Sequence, residues 1–208
     1  GVPAALMTMV ISQSLRRLER RAGAGRMTPP ADVLRILNSE LVHRQESAQR
    51  FATGVYGVLD TRTMDLRIAS AGHPAPLLLS RGDNGPTCRA LETGGPLLGI
   101  FDDAEFDEVD IRLQPGQTLL VYSDGFEVAF PAAEATGDAA RLPSTTYLGH
   151  LAAVAGGEED GLTDALGRLE STLDIQRGSL RQADDITALA IAVRSVPQSA
   201  APPAALAA

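Results

Sequence analysis

Two acidic strand ends carry the chemistry open to this sequence. The apolar run Thr118-Leu119-Leu120-Val121-Tyr122 closes on Ser123-Asp124-Gly125. A run of that kind reads as a strand in a core, so the terminal carboxylate is held at the core's edge. A metal or a polar substrate can meet it there, and Gly125 permits a sharp exit or a close ligand approach. A second acidic pair, Asp184-Asp185, stands directly before Ile186-Thr187-Ala188-Leu189-Ala190-Ile191-Ala192-Val193, again a buried-strand pattern. Two strands that present Asp at their ends can build an oxygen-ligand site for a hard cation. Taken singly, each Asp reads as a strand-end cap or a turn acid.

The rest of the composition narrows the setting. A chain of 208 residues is long enough for one domain with a real core. A formal net charge of −8 argues against nucleic acid or an anionic membrane as the main partner. Cys88 is the sole cysteine, which excludes an internal disulfide and a thiolate metal site and suits a reducing cytoplasm. No apolar run reaches the ~18 residues of a membrane span, and no signal peptide is visible.

The elements that must hold the two acids follow from periodicity. Residues 3 to 22 read as a helix with Pro3 in its first turn. Leu6, Met9 and Val10 form one apolar stripe and Ile11, Leu15 and Leu18 another, so the helix is expected between two partners. Arg16, Arg17, Arg20 and Arg21 crowd its end, as a solvated terminus or a contact with an upstream domain. Thr28 is read as the N-cap of a second helix reaching Glu46, with Val33, Leu34, Leu37, Leu41 and Val42 as its apolar stripe. The short link predicts an antiparallel pair. Alternation then replaces the helical period. Strands are expected over 51–59, 65–71, 77–79, 88–91 and 106–113, and a type II turn at Gln114-Pro115-Gly116-Gln117 feeds the strand ending at Asp124. Residues 126–160 read as a flexible excursion with a helical piece near 147–154, followed by a helix over 162–173. The Ala/Pro residues 197–208 read as a disordered tail. The fold class is α+β: antiparallel sheets covered by helices.

Five short motifs in one order then identify a resemblance. They are Gly1-Val2-Pro3-Ala4-Ala5-Leu6, Ala71-Gly72-His73-Pro74-Ala75-Pro76, Gly95-Pro96-Leu97-Leu98-Gly99, Tyr122-Ser123-Asp124-Gly125 and Asp184-Asp185-Ile186-Thr187. Together they resemble the metal-dependent serine/threonine protein phosphatases, in the bacterial branch of the stage II sporulation phosphatase E and the regulators of partner-switching stress responses. The resemblance implies an αββα sandwich of two antiparallel sheets flanked by helix pairs. It implies hydrolysis of phosphoserine or phosphothreonine with two Mn²⁺ or Mg²⁺ ions bridged by a water. It makes Asp124 and Asp184 metal ligands, with Gly125, Asp185 and His73 in support; His73 reads as a structural hydrogen-bonder before a catalytic group. No role falls to Glu127, and His43 and His150 lack a motif. In the family an Asp-x-x-Gly-His motif supplies a bridging Asp just before the Gly-Val-Pro-Ala-Ala segment. The sequence is therefore read as a phosphatase domain over 1–196 without its N-terminal strands.

The resemblance also implies a substrate and partners. The substrate would be a phosphorylated anti-sigma-factor antagonist of the STAS type, and an upstream sensor or receiver domain would precede. Membrane insertion and nucleic acid are not expected; a homodimer is possible. The helix pair, with Met9 and Leu37 assigned to its interface, is expected to gate the site. A noncatalytic interaction domain of the same fold is the alternative.

Overall fold

Residues 2–22, 27–43, 51–82, 85–130, 145–155, 161–177 and 185–194 are described by a computed structural model. The N-terminal pair is α1 (Val2–Ala22) and α2 (Pro30–His43). The second helix starts two residues later than Thr28, because Val33 N–H already bonds to Pro29 O at 3.0 Å. Seven strands follow: β1 (Gly54–Asp60), β2 (Asp65–Ala71), β3 (Leu77–Gly82), β4 (Gly85–Ala90), β5 (Glu108–Arg112), β6 (Thr118–Tyr122) and, near the end, β7 (Ala188–Ala192). Between β6 and β7 lie α3 (Gly125–Ala129), α4 (Tyr147–Ala152) and α5 (Gly161–Arg177).

The strands form two antiparallel sheets, ordered β1-β2-β5 and β4-β3-β6-β7. Three apolar layers define the sandwich. Leu66 and Ile68 of one sheet meet Leu78 and Leu119 of the other. The opposite faces of those strands point to helices. Ala69 and Ala71 pack under α2 with Leu34 and Leu41. Leu77, Leu79, Leu120 and Tyr122 pack under α3, α4 and α5. This explains the unbroken run Leu77-Leu78-Leu79: β3 is buried on both faces, so alternation would put a polar side chain into one of the two cores. The α1–α2 contact is apolar toward the sheet, with Met7, Val10 and Ile11 on the shared core. It is polar further along, where Ser14 and Arg17 both bind Glu40.

Three expectations need correction. Residues 126–129, assigned to the flexible excursion, belong with Gly125 to α3, whose Phe126 is 1% exposed; Phe126 and Phe130 share one face and stack at 6.5 Å. The strand read as buried, β7, is an edge covered on one face: Ala188 and Ala190 pack on the core under the helices, whereas Leu189 and Ile191, on the other face, are 59% and 38% exposed. Met9, assigned to the helix-pair interface, lies on the outer face of α1 at 52% exposure, whereas Leu37 is buried at 4%. The assignments at 44–46, 131–144 and 197–208 lie outside the described residues.

Candidate functional site

Asp124 sits two residues past the end of β6 and opens α3. Its backbone O accepts from Glu127 N–H at 2.8 Å, but its side chain makes no capping hydrogen bond. The carboxylate of this exposed residue is therefore not consumed by the helix it precedes.

The end of β6 is tied to the start of β7 by Ser123. Its N–H donates to Thr187 O at 2.9 Å, its Oγ donates to Asp185 O at 3.1 Å, and Oγ accepts from Thr187 N–H at 2.9 Å. The two acidic strand ends are thus neighbours, as the motifs required. Gly125 is needed for the approach itself: a Cβ there would lie 2.4 Å from Asp185 O. Asp185 is exposed, and Asp184 lies outside the described residues.

His73 borders the same corner. Burial pushes its imidazole pKa below the ordinary histidine value, and the Asp124 carboxylate pulls against that shift. Its Nδ1 is buried and has no hydrogen-bond partner, a condition shared among the described residues with Thr93 Oγ1. A buried orphan nitrogen costs free energy unless something in the working molecule satisfies it. The expectation that His73 is a satisfied structural hydrogen-bonder does not describe this ring; its backbone O, not its side chain, is bonded, to Ser70 Oγ at 3.2 Å. The other histidines are elsewhere. His43 lies 3.7 Å from Asp102 on the surface, and His150 stacks on Phe130 at 4.1 Å.

Among the described residues no group of three or more His, Cys, Asp or Glu side chains is placed to hold a metal ion. The donor present, the carboxylate of Asp124 that caps no helix N–H, is an oxygen ligand of the kind a hard cation takes, and it fits one corner of such a site. Ser123 escaped the sequence reading. Its partners are more than sixty residues away, at 185 and 187, and nothing local distinguishes a bridging serine from a solvated one.

Two antiparallel sheets face to face between helices, with the Asp124-Gly125 turn at one strand end meeting the Asp185 backbone at another, define the PP2C-type phosphatase class of fold. Within that class the sequence matches the stage II sporulation protein E (SpoIIE) family over residues 1–194, and the chain belongs to it. Phosphoserine phosphatase RsbU of Bacillus subtilis is 31% identical over 125 residues, which are 60% of this chain and 35% of RsbU. The chain thus spans about a third of the length of that relative. The SiaA-PP2C domain of Pseudomonas aeruginosa superposes with a TM-score of 0.69 at 23% identity, covering 92% of this chain and 71% of that one. The phosphatase domain of B. subtilis SpoIIE, presoaked with Mn, gives 0.53 at 16% identity, covering 88% and 73%.

Proposed function

We propose that this chain is the catalytic core of a phosphatase acting on phosphoserine or phosphothreonine in a regulatory protein. The observation that carries the reading is Asp124: an uncapped carboxylate on a rigid strand end, locked by Ser123 against the segment that bears Asp184 and Asp185. Asp124 and Asp184 would hold Mn²⁺ or Mg²⁺, in keeping with the Mn named for the SpoIIE domain. When bound, such a metal supplies charge stabilisation at phosphorus and an acidified water. The chain's own part is to hold the carboxylates in register and to border the site with the half-buried His73. Gly125 lets the strand ends close, and Asp185 anchors its segment through its backbone O.

The substrate we propose is a phosphorylated STAS-type anti-sigma antagonist in a partner-switching pathway, as the family resemblance implies; the name phosphoserine phosphatase for RsbU supports the phosphoserine part of that reading. An upstream sensor or receiver domain, a homodimeric state and a cytoplasmic setting belong to the same proposal. Among the described residues no helix is long and apolar enough to cross a membrane. The helix pair, through buried Leu37, is proposed to gate the site.

The test is Asp124→Asn and Asp184→Asn in the full-length protein, assayed on a phosphoserine protein across a Mn²⁺ titration. Each is expected to cut turnover by roughly 100-fold or more, since a charged metal ligand is lost, with the melting temperature little changed. Asp103→Asn, on an exposed loop, is the control. Near-normal turnover of Asp184→Asn at saturating Mn²⁺ would falsify the site.

A further inference from the structure

Asn38 lies in the middle of α2 and is fully buried, at 0% exposure. An asparagine there is poor for helix propensity and would burden the core if its amide were unpaired. Its amide is instead committed to one loop. Nδ2 donates to Phe101 O at 2.7 Å, and Oδ1 accepts from Gly99 N–H at 2.8 Å.

The same loop is clamped at its other end to the turn that carries His73. Leu98 and Ala52 exchange backbone hydrogen bonds of 2.9 and 3.0 Å. Gly95 O accepts from Gly72 N–H at 3.1 Å. Packing is tight there as well. A Cβ on Gly95 would lie 2.5 Å from Ser70 O, and one on Gly72 (φ +56°) would lie 2.7 Å from the Leu97 side chain. The segment from Gly94 to Phe101 therefore has little slack between α2 and the Gly72-His73 turn.

We propose that Asn38 is a positioning residue: acting through the 94–101 loop and Leu97, it fixes the Gly72-His73 turn and so the direction of the His73 ring beside Asp124. Removing its bonds at Gly99 and Phe101 lets the loop relax, and Leu97 withdraws from Gly72. The positioning claim stands on the geometry alone; its catalytic consequence rests on the phosphatase reading.

The experiment has two arms. In the first, ¹⁵N- and ¹³C-labelled chain is compared by NMR as wild type, Asn38→Ala and Leu97→Ala. Leu169→Ala, in the core under the other sheet, controls for general destabilisation. Asn38→Ala is expected to shift the amides of Gly72, His73 and Gly95 and the His73 ring signals, and Leu169→Ala to leave them in place. Leu97→Ala is expected to shift the same set, with the double variant adding little. If Asn38→Ala fails to fold, Asn38→Asp, which keeps the acceptor for Gly99 N–H, and the half-buried Leu97→Ala decide the matter. Shifts confined to α2 and residues 99–101, with His73 unmoved, would overturn the proposal. The second arm is turnover in the full-length protein. Asn38→Ala is expected to lower kcat roughly 3- to 30-fold with KM held within about twofold. A moved His73 with unchanged kcat upholds the positioning and overturns its catalytic consequence; absence of turnover in the wild type overturns the phosphatase reading and leaves the positioning intact.

Discussion

Replacing Gly125 with alanine adds one methyl group against the backbone of the Asp185 segment. The new Cβ would stand 2.4 Å from Asp185 O, 3.1 Å from the Asp185 carbonyl carbon and 3.2 Å from Ile186 Cγ1. Carbon contacts are comfortable from about 3.5 Å, so the two strand ends must part by roughly 1 Å. Two of the three atoms are backbone and cannot swing aside. The separation would lengthen the 3.1 Å bond from Ser123 Oγ to Asp185 O beyond hydrogen-bonding range. Overpacking of this kind costs about 1–3 kcal/mol, and the lost bond about 1 kcal/mol more. For a domain of this size the melting temperature should fall by roughly 4–15 °C. A misplacement of about 1 Å at the reacting centre should lower turnover on the order of 100-fold. Gly167→Ala is the contrasting substitution, since nothing lies within 4 Å of its Cβ position in the middle of α5. It should gain up to about 1 kcal/mol and leave activity alone. Thermal melts and Mn²⁺-dependent hydrolysis of a phosphoserine protein, run on the full-length protein, read both effects. Wild-type turnover and melting temperature in Gly125→Ala would refute the claim that the close approach of Gly125 to Asp185 builds the site.

Other expectations are independent of that one. Phe126→Ala, which empties a position 1% exposed on α3, should cost about 3–5 kcal/mol in denaturant unfolding. A loss below about 1 kcal/mol would return residues 126–129 to the flexible class. Leu37→Ala should raise the Mn²⁺ concentration needed for half-maximal activity more than it raises the substrate KM. A pure stability loss would make the helix pair scaffold only. The Arg112 guanidinium, hydrogen-bonded to Asp65, holds that carboxyl below its usual pKa, with Thr63 adding to the effect. A depressed carboxylate stabilises the fold above its unfolded pKa near 4 and loses that contribution as pH falls through the folded value. The melting difference between wild type and Arg112→Gln should therefore be present above about pH 4 and shrink below it. A difference that grows on acidification would reverse the assignment.

Local signals carried much of this architecture. The boundaries expected for the second hairpin strand, 65 to 71, are those observed for β2, because alternation and the Asp60 turn both specify them. The β6–Asp124 junction was legible because an apolar run stops at an Asp-Gly pair. The misses have physical causes. The spacing of Phe126 and Phe130 is a helical i, i+4 pair, but it lies at the head of an Ala- and Pro-rich stretch that hides it. Composition gave β7 as buried; exposure depends on what covers each of its faces, and that is tertiary information. Met9 and Val10 looked equivalent in a helical projection, yet Val10 packs on the core while Met9 does not. Asn38 carried no signal at all, since its partners are sixty residues away.

The four-stranded sheet ends in two unlike edges. At β4 the outer strand bears Pro86 and Arg89, a missing N–H donor and a charge, which discourage a further strand from adding there. At β7 the sequence Ala188-Leu189-Ala190-Ile191-Ala192 has neither device, and its Leu and Ile stand beside Val121 and Leu119 with their own surfaces open to water. Such an edge is a template for adding identical chains. Among the described residues no strand lies beyond β7, so that outer edge is where a further strand, of this chain or of another, finds backbone N–H and C=O groups to pair with.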